Sequence, residues 1–400
     1  MSFELIEKYH RWIWNCQQCS TCQKGPQNPF APTGATPDRI CPSYDKYRSL
    51  TYSAQGRILA AKAFLAGELE VTEDFVTSLY ECTLCGSCGP ERMERASCCV
   101  DRKQVPIFRD LRADLVKAGT APTEPYKKIA SKIEESGNRF GAKVKRSEWV
   151  PEGLDLPEQA EVVFFAGCVA SFRKKEIAQA TVNLLKHAGT EFTILGDEEW
   201  CCGNPLVDSG QLDAFESVVR KNLDNLKKTG AKKIITSCAC CHHVLKFRYP
   251  EIVSDFDMEV VHSTEVFSDL VEEGRIKPEK GISGVLTYQD PCHLTRLNTP
   301  GEHVFEAPRK LINSIPDTEF VEMEGIGEYT QCCGRNPVEL PELSLHTGIN
   351  RIKDAQAVQA DTIVTACSFC DWNLDRAAKS MESDIKSLDV TVMLANSVGL

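Results

Sequence analysis

The sequence has no stretch approaching about 18 consecutive apolar residues, so none of it reads as a membrane-spanning helix. It has no run of about five or six like charges, and its net charge is −11. Both argue against nucleic acid or an anionic membrane surface as the main partner and leave redox or other protein partners. The Gly-x-Gly-x-x-Gly and Gly-x4-Gly-Lys-Ser/Thr patterns are both missing. No nucleotide cradle is expected, so any flavin or nicotinamide must come from a partner subunit. Residues 1–15 contain Glu4, Glu7, Lys8 and Arg11 and lack an apolar core. That predicts a chain without a secretory leader, placed in the cytoplasm, where thiols stay reduced.

What the chain does have is cysteine, 20 in 400 residues. In a reducing compartment such clusters read as metal or catalytic sites rather than as a disulfide framework. One group is Cys16, Cys19 and Cys22, followed by Cys41-Pro42 after a Pro- and Gly-rich loop at 23–40. A second is Cys82, Cys85 and Cys88, followed by Cys98-Cys99. A thiol every third residue lets three thiolates wrap one cubane 4Fe–4S cluster, with an outlying cysteine completing the neighbouring cube. On that logic Cys41 joins Cys82, Cys85 and Cys88, and Cys98 or Cys99 joins Cys16, Cys19 and Cys22. Two Cys-x2-Cys units can also hold zinc. The third cysteine at the same step, present twice, weighs for iron–sulfur. Both fourth cysteines come later than the usual spacing, and no Pro follows the second.

The remaining cysteines repeat in one order. Cys168 is followed after 32 residues by Cys201-Cys202, then after 35 by Cys238-x2-Cys241. Cys292 is followed after 39 residues by Cys332-Cys333, then after 33 by Cys367-x2-Cys370. Five cysteines with matching gaps, twice, indicate an internal duplication. Only Cys98 or Cys99, and Cys240, are then left over.

Short apolar runs lead into these cysteines: VVFFAGC to Cys168, KIITSC to Cys238, VLTYQDPC to Cys292 and DTIVTAC to Cys367. They lack polar alternation, as buried parallel strands do. Helical patterns at 174–189 and 211–230 separate them and end in Gly. FTIL at 192–195 and FVEME at 320–324 are the second strand candidates, each leading to a CC pair. Strand and helix in alternation predict parallel sheets, whose sites form beyond the carboxyl ends of the strands. Two adjacent cysteines cannot both point comfortably into one small cube, but they can bridge a larger or opened cluster. The expected fold is therefore α plus α/β. A helical ferredoxin-like domain with two cubane sites spans 1–110, a connecting segment 111–160, and duplicated parallel-sheet domains 161–275 and 284–400. EEGRIKPEKGISG at 272–284 links the two copies.

With these residues in view, the chain resembles the heterodisulfide reductase family. The likeness is to the form that fuses a ferredoxin-like subunit to one with two CCG repeats, and it covers nearly the whole length. ESGNRFGAKVKRSEW at 135–149 resembles a bridging segment of that family, and YQDPCHLTR at 288–296 resembles its second-repeat opening. CVDRKQVP, with Pro106 in register, resembles the ending of ferredoxin-like subunits and favours Cys99 over Cys98. The resemblance implies one noncubane 4Fe–4S cluster on Cys168, Cys201, Cys202, Cys238 and Cys241. It implies a second on Cys292, Cys332, Cys333, Cys367 and Cys370. In the family such paired clusters cleave the coenzyme M–coenzyme B disulfide.

Two functions fit this reading. One is an electron-transfer subunit of a flavin-based assembly such as a class II benzoyl-CoA reductase complex, with a flavin-containing partner. The other is a disulfide-cleaving catalytic subunit, whose anionic substrate needs paired cations. Residues beside the clusters that could serve are Arg173, His242, His243, His293, Arg296 and Arg335. Cys202, Cys333, His293 and Arg335 are the candidates nearest the chemistry. His243 or His293 could instead donate a hydrogen bond to a cluster sulfur or carry a proton, and Trp200 and Trp372 are expected to pack. The Pro-rich loop at 23–40 reads as a partner-docking surface and tips the expectation toward the relay.

Overall fold

The computed structural model describes residues 3–24, 39–89, 98, 104–299 and 301–400. The loop expected to dock a partner lies mostly outside these residues, as do Cys99 and most of the segment that favours it.

The N-terminal part is helical. Helices Glu4–Glu7, His10–Trp14, Ala54–Leu65, Glu73–Tyr80 and Gln104–Lys117 surround a core that includes Ile6, Ile13, Ile58, Leu79, Phe108 and Leu111. Ser53 and Thr72 cap two of them, each side chain accepting a backbone N–H three residues on. Asp114 does the same in trans, accepting from the amides of Leu5 and Ile6 at 3.1 Å. The expected boundary at residue 110 falls inside Gln104–Lys117. One uninterrupted apolar stripe keeps that helix whole, and Ile107, Leu111 and Leu115 all face the same core.

Two four-stranded sheets follow. The first consists of β1 (Val162–Phe164), β2 (Thr193–Ile194), β3 (Lys233–Thr236) and β4 (Glu259–His262). The second consists of β5 (Val285–Gln289), β6 (Glu319–Phe320), β7 (Thr362–Thr365) and β8 (Lys386–Asp389). Every pairing is parallel, in the order β2-β1-β3-β4 and β6-β5-β7-β8. The expected duplication is therefore present as two sheets of one topology. The strands β4 and β8 lie outside the sequence expectation. EVVH and KSLD are short, and polar residues interrupt them, so apolar patterning does not single them out.

In each sheet the strand order reverses between its first and third strands, which opens a crevice at their carboxyl ends. Cys168 and Cys238 lie just beyond β1 and β3, and Cys292 and Cys367 just beyond β5 and β7.

The three parts meet at Asp208, which ends the short helix Asn204–Asp208 after the first CCG. Arg109 of the helical domain donates to Asp208 Oδ1 at 2.8 Å. Arg335, directly after the second CCG, is bonded to Asp208 Oδ2 and to Asn204 Oδ1. Arg112 donates to the Asp208 carbonyl at 2.8 Å and to the Cys82 carbonyl at 2.9 Å. Burial alone would raise the Asp208 carboxyl, but Arg335 and Arg109 hold it well below the usual carboxylate range. A depressed folded-state value means this contribution is present in full above about pH 4 and is lost as the pH falls toward the folded value.

Removing one partner from a buried ionic group leaves the others uncompensated. Asp208→Asn should therefore lower stability by about 3–5 kcal/mol, read as a lower midpoint in anaerobic chemical denaturation. Glu4→Gln, at the exposed pair with Lys117, should leave the midpoint unchanged.

Candidate metal centre

The tight cysteine loops of the helical domain share a backbone device. Gln18 and Ser20, which separate Cys16, Cys19 and Cys22, have φ of 52° and 63°. Leu84 and Gly86, which separate Cys82, Cys85 and Cys88, have φ of 52° and 77°. Left-handed backbone at three side-chain-bearing residues is unfavourable and persists where surroundings enforce it. In the second loop the three thiols share one pocket. Cys41, Cys82, Cys85 and Cys88 line one pocket with Arg57 and Phe108. Arg57 Nη1 is buried there without a hydrogen-bond partner among the described residues. A pocket of four sulfurs with an unmatched guanidinium N–H fits a cluster that is anionic overall.

In the other set Cys19 is exposed, Cys16 is half-buried and Cys22 is buried. Cys98, the cysteine that the sequence pattern disfavours, is buried and close enough to Cys22 to act on it electrostatically. Burial, Cys41, Cys98 and Cys16 together push the Cys22 thiol up to about 12.

In the first sheet domain, Glu199 accepts hydrogen bonds from the amides of Ala166 and Gly167 at 2.8 and 2.9 Å. That fixes the turn that presents Cys168. Arg146 donates to Glu199 at 2.9 Å, to the Gly137 carbonyl at 3.1 Å and to Cys168 Sγ at 3.5 Å. The bridging segment thus places a buried cation against a sulfur. Burial pushes the Glu199 carboxyl up to about 7, against the pull of Arg146. An asparagine also holds each CC loop. Asn373 donates to the Cys333 carbonyl at 2.7 Å, as Asn222 does to that of Cys201 at 3.0 Å.

The Gly of each CCG has a steric reason. Gly203 and Gly334 both have φ of +85°. A Cβ on Gly334 would meet the Ser344 carbonyl oxygen at 2.1 Å, and one on Gly203 the Phe215 ring at 2.6 Å. The second cysteine of each pair behaves alike. Hydrogen bonds from Cys201 and Cys241 lower Cys202 to about 6, and those from Cys332 and Cys370 lower Cys333 to about 6. The thiolate is the form in which a cysteine binds a metal.

The sets adjoin one another. Cys85 of the helical domain packs with Cys292 and Cys332 in a small buried cluster, and Thr83 Oγ1 is 3.7 Å from Cys332 Sγ. The sulfurs of Cys238, Cys240 and Cys367 lie within 4.8 Å of one another across the two repeats.

This pattern has counterparts in other proteins. A family model described as a cysteine-rich domain, CCG, matches residues 162–246 and 286–375. A component of the dihydromethanophenazine:CoB–CoM heterodisulfide reductase of Methanosarcina acetivorans is 33% identical over 401 residues, covering 96% of this chain and 94% of its own. The chain belongs to the heterodisulfide reductase family. It is an iron–sulfur, oxidoreductase-type subunit, as the cysteine-rich domains and these relatives support. The EtfAB:quinone oxidoreductase of Syntrophomonas wolfei is 32% identical over 342 residues, covering 79% of this chain and 46% of that protein. A solved hypothetical protein from Helicobacter pylori, at 12% identity and a TM-score of 0.56, covers 100% of this chain and 77% of its own. At that identity the likeness speaks for the fold alone.

The non-cysteine candidates of this family member fall into distinct roles. His293 lies against the second set, with Nδ1 3.4 Å from Cys292 Sγ. Burial and the Arg335 charge hold its ring well below the usual imidazole value, hence neutral at physiological pH. His243 pairs with Asn298 Oδ1 at 3.2 Å, and burial with the Arg109 charge lowers it to about 3. His242 is buried beside His262 with neither ring nitrogen partnered among the described residues. Arg296 donates from Nε to the Cys85 carbonyl at 2.7 Å, while its Nη2 is unpartnered among the described residues. Arg173 stacks over Phe140 at 4.6 Å. Arg335 is expected from sequence to face an anion, but its charge is matched by Asp208, so it fastens the two CCG loops together. Trp200 and Trp372 pack against Lys221 and Phe369 respectively. Arg146, Glu199 and Asp208 escape sequence reasoning. Each acts through a partner tens of residues or more away, and local sequence carries no sign of that.

Cys98→Ser should remove about four iron atoms per chain, together with one cubane signal in electron paramagnetic resonance. Retention of full iron content would return the ligand role to Cys99.

Proposed function

We propose that this chain is the electron-transfer subunit of an anaerobic, flavin-based multi-subunit oxidoreductase of the class II benzoyl-CoA reductase kind, acting in the cytoplasm. It would pass single electrons through two cubane and two noncubane 4Fe–4S clusters. Cys41, Cys82, Cys85 and Cys88 would hold one cube, and Cys16, Cys19 and Cys22 the other, completed by Cys98 on the strength of its burial near Cys22, where the sequence favours Cys99. The two five-cysteine sets would hold the noncubane clusters. Iron–sulfur clusters supply one-electron carriers whose potentials run from roughly −700 to +450 mV according to type, hydrogen bonding and exposure.

The observation that carries the reading is the buried packing of Cys85 against Cys292 and Cys332. It sets a ferredoxin-type loop directly against the second CCG site. With Cys22 acting on Cys88 at one end and Cys238 beside Cys367 at the other, each thiolate set adjoins the next. The chain's part is to fix that arrangement, keep water from its inner members and aim N–H groups at the sulfurs. Arg146 does so at Cys168, and the orphaned N–H groups of Arg57 and Arg296 are placed for it elsewhere.

A second reading, the disulfide-cleaving subunit, is favoured by the 33% identity to a component of a heterodisulfide reductase. Against it, the buried cations around the sites are largely matched from within. Arg335 and Arg109 share Asp208, Arg139 pairs with Glu339, and Arg146 pairs with Glu199. An anionic substrate has to compete with those carboxylates.

Anaerobically purified protein should hold about 16 iron atoms per chain. Reduced viologen should bleach its clusters without turnover of coenzyme M–coenzyme B disulfide. Multiple turnovers by the purified chain would establish the second reading in place of the first.

A further inference from the structure

Cys240 is the cysteine that neither five-membered set requires. It lies in Cys238-Ala239-Cys240-Cys241, on the short helix Ala239–His243 whose N-cap is Cys238. Successive helical residues point about 100° apart. Cys241 and Cys240 therefore point in different directions. Cys241 interacts with Cys202 of its own repeat. Cys240 turns the other way, and its sulfur lies within 4.8 Å of that of Cys367, in the second repeat, as well as that of Cys238. On its far side His293 Nδ1 stands 3.8 Å from Cys240 Sγ and 3.4 Å from Cys292 Sγ. The Nε2 of the same ring is buried without a partner among the described residues. Arg335 is within electrostatic reach of both Cys240 and Cys292.

A buried cysteine commonly serves as a small apolar side chain. The surroundings here are not apolar. Two other sulfurs, an imidazole and a guanidinium converge on Cys240, which is only 7% exposed. Three sulfurs this close, from two repeats, form a donor set that a soft cation would draw together.

We propose that Cys240 is a sixth thiolate for the second-repeat site, supplied by the first repeat and occupying an iron coordination position at the boundary between the two. Loading the site releases the Cys240 proton, and no electron is transferred in that step. The inference rests on the reading that both five-cysteine sets hold iron. It deepens that reading, because the position an incoming thiolate would need is filled by the chain itself.

The test uses the full-length chain, isolated anaerobically with whatever subunits accompany it, as wild type, Cys240→Ala and Cys240→Ser. The readouts are iron per chain and the electron paramagnetic resonance spectrum, with and without 2-mercaptoethanesulfonate as an external thiolate. The wild-type spectrum should not respond to the thiolate. Cys240→Ala should show an altered signal from one noncubane site, which the thiolate shifts further, or should lose about four iron atoms from that signal alone. Cys240→Ser, offering oxygen in place of sulfur, should give a third spectrum. About 16 iron atoms in every form with coincident spectra would overturn the assignment of Cys240 alone. About 8 iron atoms in the wild type, with cubane signals only, would overturn the four-cluster reading and this inference together.

Discussion

Buried sulfurs that must ionise repel one another, and the whole molecule is arranged around that repulsion. Burial and its neighbours hold the Cys168 thiol well above its ordinary value, and Cys370 likewise. Left as thiols, the converging cysteines would be a poor core: small, polarisable and crowded. A multivalent cation changes the balance, because it displaces the protons and turns mutual repulsion into shared attraction. The protein contributes positive charge of its own, but sparingly. Arg146 touches Cys168, and Arg335 lies near Cys292, yet each is tied to a carboxylate before it reaches a sulfur.

That tying explains why the three domains cannot be separated without consequence. Asp208 receives one arginine from the helical domain and one from the second CCG loop, while itself belonging to the first. Arg139, in the bridging segment, reaches Glu339 of the second sheet domain. Arg296, in the second sheet domain, bonds the Cys85 carbonyl in the helical one. These contacts fix the spacing between the cysteine sets of the three domains.

Much of this is legible in the residues. Apolar runs that lead toward cysteine mark five of the eight strands, because buried parallel strands carry their signal in unbroken apolar residues, whereas FVEME at 320–324 meets β6 only at Phe320. The duplication is readable from gaps alone. The edge strands β4 and β8 are not, because EVVH and KSLD hold few apolar residues and neither leads into a cysteine. The cysteine sets are readable as groups, but their order in space is not. Thr83 and Cys332 are 249 positions apart, and nothing local announces their contact. Arg335 stands out for its place beside a cysteine, which suggests an external anion. Its real counter-ion sits 127 positions away, in the other repeat.

The exposure of Cys19, set against the burial of the ten repeat cysteines, gives the molecule an outside end and an inside end. A small oxidant such as dioxygen meets the outermost sulfurs first and has to pass through packed protein to reach the innermost. Injury by air would then begin at the exposed Cys19 loop and reach the buried repeat cysteines last.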